Sequence, residues 1–528
     1  MNSSYVHYLP ATLRQQHPDR YWTMTGSVLF ADVSGFTKLS ERLAGLGKAG
    51  AEELTLILNS TFTELLSISL TEGGDLISYG GDALLLAFPG ERHAERAVRA
   101  ALGMRSALKH RGPIHTDAGQ VRLKVSQGVH SGDFQFAIAG TQQCELMLVG
   151  AAATTVTSME TAADAGDVLI SPQTAAYLPP SCVGAAKADG FLARKLPPDG
   201  TIEPAPAAAD INLEAFVPPA IRARIDADDL DAEHRFVSVA FFQVLDVDQA
   251  LETRGAEWTV DQLTAIVDAA LTAATTHGAC VLASDSAPNG AKLIITAGAP
   301  EAIEDGEGRI LATLRDILDE SFELPVRAGV HAGHVFAGDV GSPDRRVYTV
   351  IGDAVNLAAR LMGKAKPGEL IASKSLVEHT GLRFEQVALE PFFVKGKRHA
   401  QSAFSIGRLV DRHLSTELDV ADDVDFFGRT TELDQLHLAH ESMVAGSGRV
   451  VEIVGGPGTG KTRLLREFIT AHPATRVIRT TSEPNQSNRP FYAARLVLRS
   501  LLGIDQMADR AEAGRRLRER IAQVEPQF

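Results

Sequence analysis

Asp32 stands in the run Phe30-Ala31-Asp32-Val33-Ser34-Gly35-Phe36-Thr37, a carboxylate at the end of an apolar stretch with a glycine turn directly after it, and fifty residues later Gly81-Asp82 sits between two further apolar stretches. Two carboxylates on neighbouring strand ends can hold a pair of hard divalent cations, and such cations can clamp a triphosphate. Taken singly, Asp32 also fits a helix N-cap and Asp82 a hairpin turn. Farther on, Asn356 and Arg360 lie four apart in the segment Tyr348-Thr349-Val350-Ile351-Gly352-Asp353-Ala354-Val355-Asn356-Leu357-Ala358-Ala359-Arg360. On a helix both project from one face toward a common ligand. A lone pair of this kind also fits a surface arginine and an asparagine near a helix start. In a third cluster the apolar run RVVEIV leads into Gly455-Gly456-Pro457-Gly458-Thr459-Gly460-Lys461-Thr462 and then RLLREFITAH. Strand, glycine-rich loop and helix form the setting in which backbone amides cradle phosphates, so Gly455, Gly458 and Gly460 shape the loop, Lys461 reaches the β/γ oxygens and Thr462 ligates Mg²⁺.

These side chains need elements that hold them, and the chain repeats its elements. VRLKVSQGVHSGDFQFAIAG at 121–140 and LPVRAGVHAGHVFAGDVG at 324–341 both run from an apolar strand into Gly-Val-His-x-Gly, and GDVLISPQTA and GELIASKSLV follow in step. The repeat is domain-sized. Each copy opens on an apolar strand, GSVLFADV or FVSVAFFQV, followed by a helical stretch; in the first, Leu54, Ile57, Leu58, Phe62, Leu65 and Leu66 share one helical face. The order strand, helix, strand, strand, helix, strand predicts an α/β (α+β) sandwich with helices covering an antiparallel sheet. The expected divisions are 21–190 for the first domain, 191–230 for a Pro- and Ala-rich linker of limited structure, 231–408 for the second domain, 409–425 for a linker and 426–528 for the start of a P-loop domain.

Composition restricts the partners. Hydrophobic residues make up 45% and charged residues 22% of the 528, a globular composition, and no apolar run is expected to cross a bilayer. The N-terminus has no basic start followed by an apolar stretch, so no secretory signal is expected and a cytoplasmic location follows. Cys144, Cys182 and Cys280 are too few and scattered for a disulfide framework or zinc cluster and read as buried thiols. A net charge of −15 argues against nonspecific nucleic-acid binding. A nucleotide therefore needs dedicated metals or cationic side chains.

FADVSGFTKLSERL together with GGDLISYGGDALLLAF resembles the two metal-binding motifs of class III adenylyl and guanylyl cyclases, a likeness that covers roughly 21–408. The resemblance implies two ferredoxin-like cyclase domains packed as a pseudo-heterodimer, with Asp32 and Asp82 as the carboxylates for two Mg²⁺ or Mn²⁺ ions. It further implies that Asn356 orients the ribose, Arg360 stabilises the reacting phosphate, Thr349 contacts the base, and Lys395 or Lys397 contacts the triphosphate. Aligning the copies sets Thr154 opposite Asn356, Ser158 opposite Arg360, Gln243 opposite Asp32 and Pro288 opposite the hairpin aspartate. Each copy thus keeps the half that the other lacks, and an intramolecular pair forms one complete site.

ATP is the expected substrate on Thr349 and on the lack of the glutamate and cysteine of guanylyl cyclases, although Ala283 stands where many adenylyl cyclases carry a base-reading lysine. The product would be 3′,5′-cyclic AMP with pyrophosphate. Alternatives are a guanylate cyclase, a catalytically silent nucleotide-sensing scaffold, and a signalling ATPase with the cyclase pair as sensor. The tandem layout followed by a P-loop resembles soluble, bicarbonate-responsive adenylyl cyclases, but Ser78 and Thr157 replace the lysine and arginine of the anion site, so little positive charge is expected there. FFGRTTELDQL resembles the entry of AAA-like ATPases. No apolar strand ending in an acid follows the P-loop before Phe528, so the chain is expected to be an N-terminal fragment or a truncated form.

Overall fold

The strand Tyr21–Ser34 (β1) alternates buried and exposed residues at its start and is buried on both faces from Gly26 to Ala31. A strand is buried on both faces only where layers cover its sheet on each side. On one side Leu29, Ala31 and Val33 pack among Leu54, Leu58, Phe62 and Leu65 of helix α1 (Lys48–Thr71) and Ala97, Val98 and Ala101 of helix α2 (His93–Arg111). On the other, Val28 and Phe30 pack against Val237, Val239 and Phe241, which belong to the second copy of the repeat. Ala153 and Val156 of the first lobe's own helix Ala151–Ala162 are buried in the same cluster.

The computed structural model describes residues 3–15, 19–36, 48–80, 83–117, 119–197, 213–227, 232–303, 305–342, 345–393, 400–411, 426–455 and 459–478, with single positions between 36 and 48 and short stretches beyond 493. By internal contacts it divides into two units, Met1–Val410 and Asp411–Phe528.

Unit one holds both copies. In the first lobe the sheet continues with β2 (Asp75–Gly80), β3 (Ala83–Pro89), β4 (Lys124–Ala139), β5 (Glu145–Val149) and β6 (Val168–Ile170), and helix α3 (Ala151–Ala162) follows β5. Its order begins β2-β3-β1-β4-β6, with β5 paired to β4, and ends on two short strands, Gly190–Ala193 and Val183–Lys187. The second lobe repeats it: β7 (Glu233–Leu245), α4 (Ala256–His277), β8 (Cys280–Ala287), β9 (Gly290–Ala297), α5 (Gly306–Asp319), β10 (Val326–Ser342), β11 (Arg345–Ile351), α6 (Asp353–Lys364) and β12 (Leu370–Ser373). The order there begins β8-β9-β7-β10-β12, with β11 paired to β10, and ends on Ala403–Asp411 and Arg383–Ala388. Strand, helix, strand, strand, helix, strand with the last strand beside the first is the ferredoxin-like arrangement expected from the repeat.

The lobes exchange apolar side chains as well as facing one another. Phe336, Val340 and Ile351 of the second lobe are buried in the core of the first, and Met147 and Val149 of the first in the core of the second. Thr63 on α1 donates to the Gly341 carbonyl at 3.1 Å.

Three sequence expectations are corrected. The linker is ordered in part: Leu213–Phe216 is a 3₁₀ turn and Pro219–Asp226 an α-helix with proline in its first turn, and Val217 and Ile221 are buried. Burial against the N-terminal segment supplies what the Pro- and Ala-rich composition lacks. Glu53–Thr71 of α1 is long and apolar enough by composition to cross a membrane, but Leu54, Leu58, Phe62, Leu65 and Leu66 are buried in the first core. Of the cysteines, Cys182 is buried, whereas Cys144 and Cys280 are partly exposed.

In unit two the described helices are Thr430–Val444, Lys461–Ala471 and Arg510–Val524. Residues 449–454, read from sequence as a buried strand, pair with no strand among the described residues, and Val450 is fully exposed. Such a strand is buried only between neighbours of a parallel sheet.

Candidate active site

The strand registers relate the lobes residue by residue. Val28 pairs with His130 and Val239 with His331. The Nδ1 atoms of these histidines lie 2.9 Å from Ser171 Oγ and 2.7 Å from Ser373 Oγ. Continuing along the strands, Asp32 pairs with Ser126 on one side and Ala83 on the other, while Gln243 pairs with Arg327 and Lys292. Gln243 therefore occupies the place of Asp32.

The surroundings of these two positions differ in charge. Asp32 is partly exposed at the strand end and pairs with Ala83, the residue after Asp82; Gly81 and Asp82 themselves lie outside the described residues. Gln243 is buried, and its Oε1 accepts from Arg327 Nε at 2.9 Å and Nη2 at 2.7 Å. Lys292 is bound to the buried Asp285 at 2.7 Å. In the second lobe fixed cations thus stand at the places of Ser126 and Ala83. An amide oxygen held by a guanidinium is a poor ligand for a hard divalent ion, whereas a carboxylate at a strand end is of the type such ions take.

The hairpins also differ in length, which corrects the alignment of Pro288. The first hairpin closes at the pair Gly80–Ala83. The second continues from Asp285–Lys292 through Ser286–Ala291 to Ala287–Gly290, with Pro288 and Asn289 in the turn beyond. Pro288 is therefore part of an extension. Both hairpins keep the same irregularity, between Leu76 and Ser78 and between Val281 and Ala283, so Ala283 is the counterpart of Ser78.

Two glycines relate the helices α3 and α6. A Cβ on Gly128 would lie 2.3 Å from the Glu160 amide nitrogen, and one on Gly329 would lie 1.9 Å from that of Met362. Each helix crosses its strand where no side chain fits. Counting back from Glu160 and Met362, Thr154 corresponds to Asn356 and Ser158 to Arg360. Thr154 Oγ1 donates to Asp248 Oδ2 at 2.6 Å and accepts from the Asn289 amide at 2.7 Å, and Ser158 donates to the Thr154 carbonyl. Burial pushes the Asp248 carboxyl above its ordinary range. In α6, Ala354, Val355, Leu357, Ala358, Leu361 and Met362 are buried, while Asn356 and Arg360 keep partial exposure. Thr349 is buried in β11 opposite Gly338.

A cavity of about 100 Å³ lies between the lobes, lined among others by Ser78, Tyr79, Glu145, Ala283, Ser284 and Arg345. Tyr8–Pro10 and Leu13 of the N-terminal segment and Phe216–Pro218 and Ile221 of the linker also line it. Thr157 spends its hydroxyl on the Ala153 carbonyl in its own helix, and neither it nor Ser78 brings charge. Arg345 does, a residue that motif reading passed over because nothing local distinguishes it. Glu145, also buried, has its carboxyl pushed upward by burial.

The remaining candidates fall elsewhere. Lys395 and Lys397 lie outside the described residues, as does Gly458. In unit two Gly460 has a left-handed backbone (φ 84°), Lys461 opens the helix, with Thr462 next to it, and Lys461 Nζ donates to the Gly455 carbonyl at 2.7 Å.

The family model described as the adenylate and guanylate cyclase catalytic domain matches residues 22–190 and 308–407, and that of the AAA ATPase domain matches 425–527. The unmatched stretch between the two cyclase matches contains β7, β8 and β9, the strands of the second lobe around Gln243. Adenylate cyclase type 10 of Homo sapiens is 24% identical over 568 residues, covering 94% of this chain and 34% of its own length. The same protein of Oryctolagus cuniculus is 24% identical over 558 residues, covering 91% of this chain and 33% of its own. The chain spans about a third of the length of these relatives. A solved class III adenylyl cyclase-like ATP-binding protein from Pseudomonas aeruginosa is 11% identical with a TM-score of 0.49, covering 68% of this chain and 85% of its own. With two lobes of one ferredoxin-like topology and a family match over both, the chain belongs to the adenylate and guanylate cyclase catalytic domain family.

Proposed function

We propose that unit one converts ATP to 3′,5′-cyclic AMP and pyrophosphate at a single site built from both lobes, metals from the first and transition-state groups from the second. The observation that carries this reading is the complementary loss: Gln243, held by Arg327, replaces Asp32, and Thr154 and Ser158 replace Asn356 and Arg360. Thr154 touches Asn289 at the turn of the opposite hairpin. The pseudo-two-fold relation carries this over to Asn356, which would face the hairpin that holds Asp82.

Two Mg²⁺ or Mn²⁺ ions, held by Asp32 and Asp82, would supply a lowered pKa for the ribose 3′-hydroxyl and neutralisation of the departing pyrophosphate. Asn356 then fixes the sugar so that its hydroxyl lies in line with the α-phosphate, and Arg360 meets the charge that develops on that phosphate. Thr349 borders the base, and Lys395 and Lys397 are candidates for the triphosphate. The P-loop residues Gly455, Gly458, Gly460, Lys461 and Thr462 form a separate ATP-binding module in unit two.

Adenine is favoured by Thr349 and by the likeness to proteins named adenylate cyclases. Ala283 favours a second reading, a nucleotide-sensing scaffold without turnover, because no lysine stands at that position. The deciding experiment is cyclic nucleotide production by the purified chain with Mg²⁺ or Mn²⁺, given ATP and GTP separately, with Asp32→Ala as the blank. Cyclic AMP that vanishes in the variant is expected. Nucleotide binding without product under either metal would move the assignment to the scaffold, and cyclic GMP would move it to a guanylate cyclase.

A further inference from the structure

Arg345 is the first residue of β11, the strand that carries Thr349 and runs into the helix of Asn356 and Arg360. It is buried, 6% exposed. Its Nη2 donates to the Leu76 carbonyl at 2.9 Å, across to the other lobe. Leu76 lies in β2, the strand that leads to Asp82. Its Nη1 donates to the carbonyls of Arg346 at 2.9 Å and His7 at 3.4 Å. One guanidinium thus joins the strand of the transition-state half, the strand of the metal half and the N-terminal segment.

The segment around His7 is itself fixed. The amides of Ala11 and Thr12 donate to the two oxygens of Asp75, at 2.9 and 2.6 Å, on the first residue of β2. Tyr5 donates to Asp226 of the linker helix at 2.9 Å, and Arg224 of that helix lies 5.3 Å from the ring centroid of Tyr348.

The other half of the pseudo-dimer shows the same link in weaker form. Gln143 precedes Gly150 by as many residues as Arg345 precedes Gly352, and its Nε2 donates to the Val281 carbonyl at 3.1 Å. Val281 is the counterpart of Leu76, each standing just before the hairpin irregularity. The side that lacks the catalytic groups uses a neutral amide, and the side that carries them uses a cation with a planar fork of donors. Burying a guanidinium is costly, and an apolar side chain could fill the same space at less expense in free energy. What the arginine adds is several simultaneous hydrogen bonds of fixed direction. Burial lowers its pKa to about 10, so it is still charged at neutral pH.

We propose that Arg345 is a positioning residue for the cyclisation: it ties β11 to β2 and so sets the distance between the metal half and the transition-state half of the site. The inference rests on the cyclase reading for its kinetic consequence. A displacement of about 1 Å between reacting groups can cost on the order of a hundredfold in rate.

The test pairs kinetics with hydrogen exchange on the full chain and its variants Arg345→Ala, Arg345→Lys and Arg345→Gln. The wild type is expected to turn over ATP, and Arg345→Ala to lose about ten- to a hundredfold in kcat with KM within about threefold. Arg345→Lys should recover part of kcat, and Arg345→Gln, copying Gln143, should fall between. Exchange at residues 76–80 and 345–351 should quicken together in Arg345→Ala, which a local packing defect in one strand would not produce. A folded Arg345→Ala with kcat within twofold of wild type overturns the proposal, and if that variant fails to fold, Arg345→Gln with wild-type kcat does so. Should the wild type itself make no cyclic nucleotide, the cyclase reading fails, and exchange alone decides the coupling: joint quickening of the two strands upholds it and unchanged exchange overturns it.

Discussion

Arg327 holds Gln243 by two hydrogen bonds to one amide oxygen, at 2.9 and 2.7 Å, on the strand pair where the first lobe sets Asp32 opposite Ser126. The arginine also donates to the Ala365 carbonyl at 2.9 Å, which fixes it in place. At the counterpart of Asp32, the second lobe thus has a cation in place as well as an amide instead of a carboxylate.

Restoring the carboxylate alone should therefore not restore metal binding. Gln243→Asp is expected to form an ion pair with Arg327, leave thermal stability equal or higher, and leave the number of Mn²⁺ ions bound per chain unchanged, as read by calorimetric titration. An additional Mn²⁺ bound by this single variant would show that Arg327 does not guard the position.

The transition-state groups should separate from the metal groups in kinetics. Removing Arg360 as alanine should lower kcat by about a hundredfold or more, in line with loss of one preorganised donor, with a smaller change in KM. Asn356→Ala should follow in the same direction, and Asp32→Ala should abolish metal-dependent turnover. Steady-state assays across ATP and Mn²⁺ concentrations check this. An Arg360→Ala variant of near-wild-type kcat would remove that residue from the site.

A different pair of substitutions tests the pseudo-symmetry. Both Gly128→Ala and Gly329→Ala drive a Cβ into the backbone of the helix that crosses the strand, at a cost of about 1–3 kcal/mol or more in stability. Only Gly329→Ala displaces the helix bearing Asn356 and Arg360. Its kcat per folded molecule should fall well below that of Gly128→Ala when denaturation midpoints are matched. Equal kcat in the two would mean that the position of α6 is not critical.

Much of this was legible in the chain because it repeats. The shared Gly-Val-His-x-Gly segments set the two lobes in register, and the apolar face from Leu54 to Leu66 is the face α1 buries. The expected pairing of Gln243 with Asp32 and of Thr154 with Asn356 needed only that register. Pro288 was misplaced because sequence does not reveal that the second hairpin runs on past Asp285 and Lys292. Arg345 was invisible for a related reason: its partners, Leu76 and His7, are far away in the chain. The segment 449–454 reads as a buried strand, but its burial depends on neighbouring strands, and it pairs with none among the described residues. Pattern gives an element its tendency; its partners decide whether the tendency is realised.

Asp305 gives a prediction for pH. It caps α5, its Oδ1 accepting from the amides of Gly308 and Gly381, both at 3.1 Å. Its Oδ2 is buried with no hydrogen-bond donor among the described residues. Burial therefore penalises its charged form and raises its pKa from 3.8 to about 6, with Glu307 adding to the rise. A carboxyl whose pKa is raised on folding binds its proton more tightly in the native state. Its contribution to stability is then fully present below about pH 4 and is lost as the pH climbs through about 6. The loss for this residue is on the order of 2–3 kcal/mol. Asn caps a helix as well as Asp and carries no proton to lose, so Asp305→Asn should gain stability relative to wild type between pH 4 and pH 6.5. Urea unfolding of both proteins at several pH values reads the difference directly, free of the other carboxylates that the two chains share. Stability curves that stay parallel across that window would show that Asp305 is ionised throughout, and that its two backbone donors outweigh its burial.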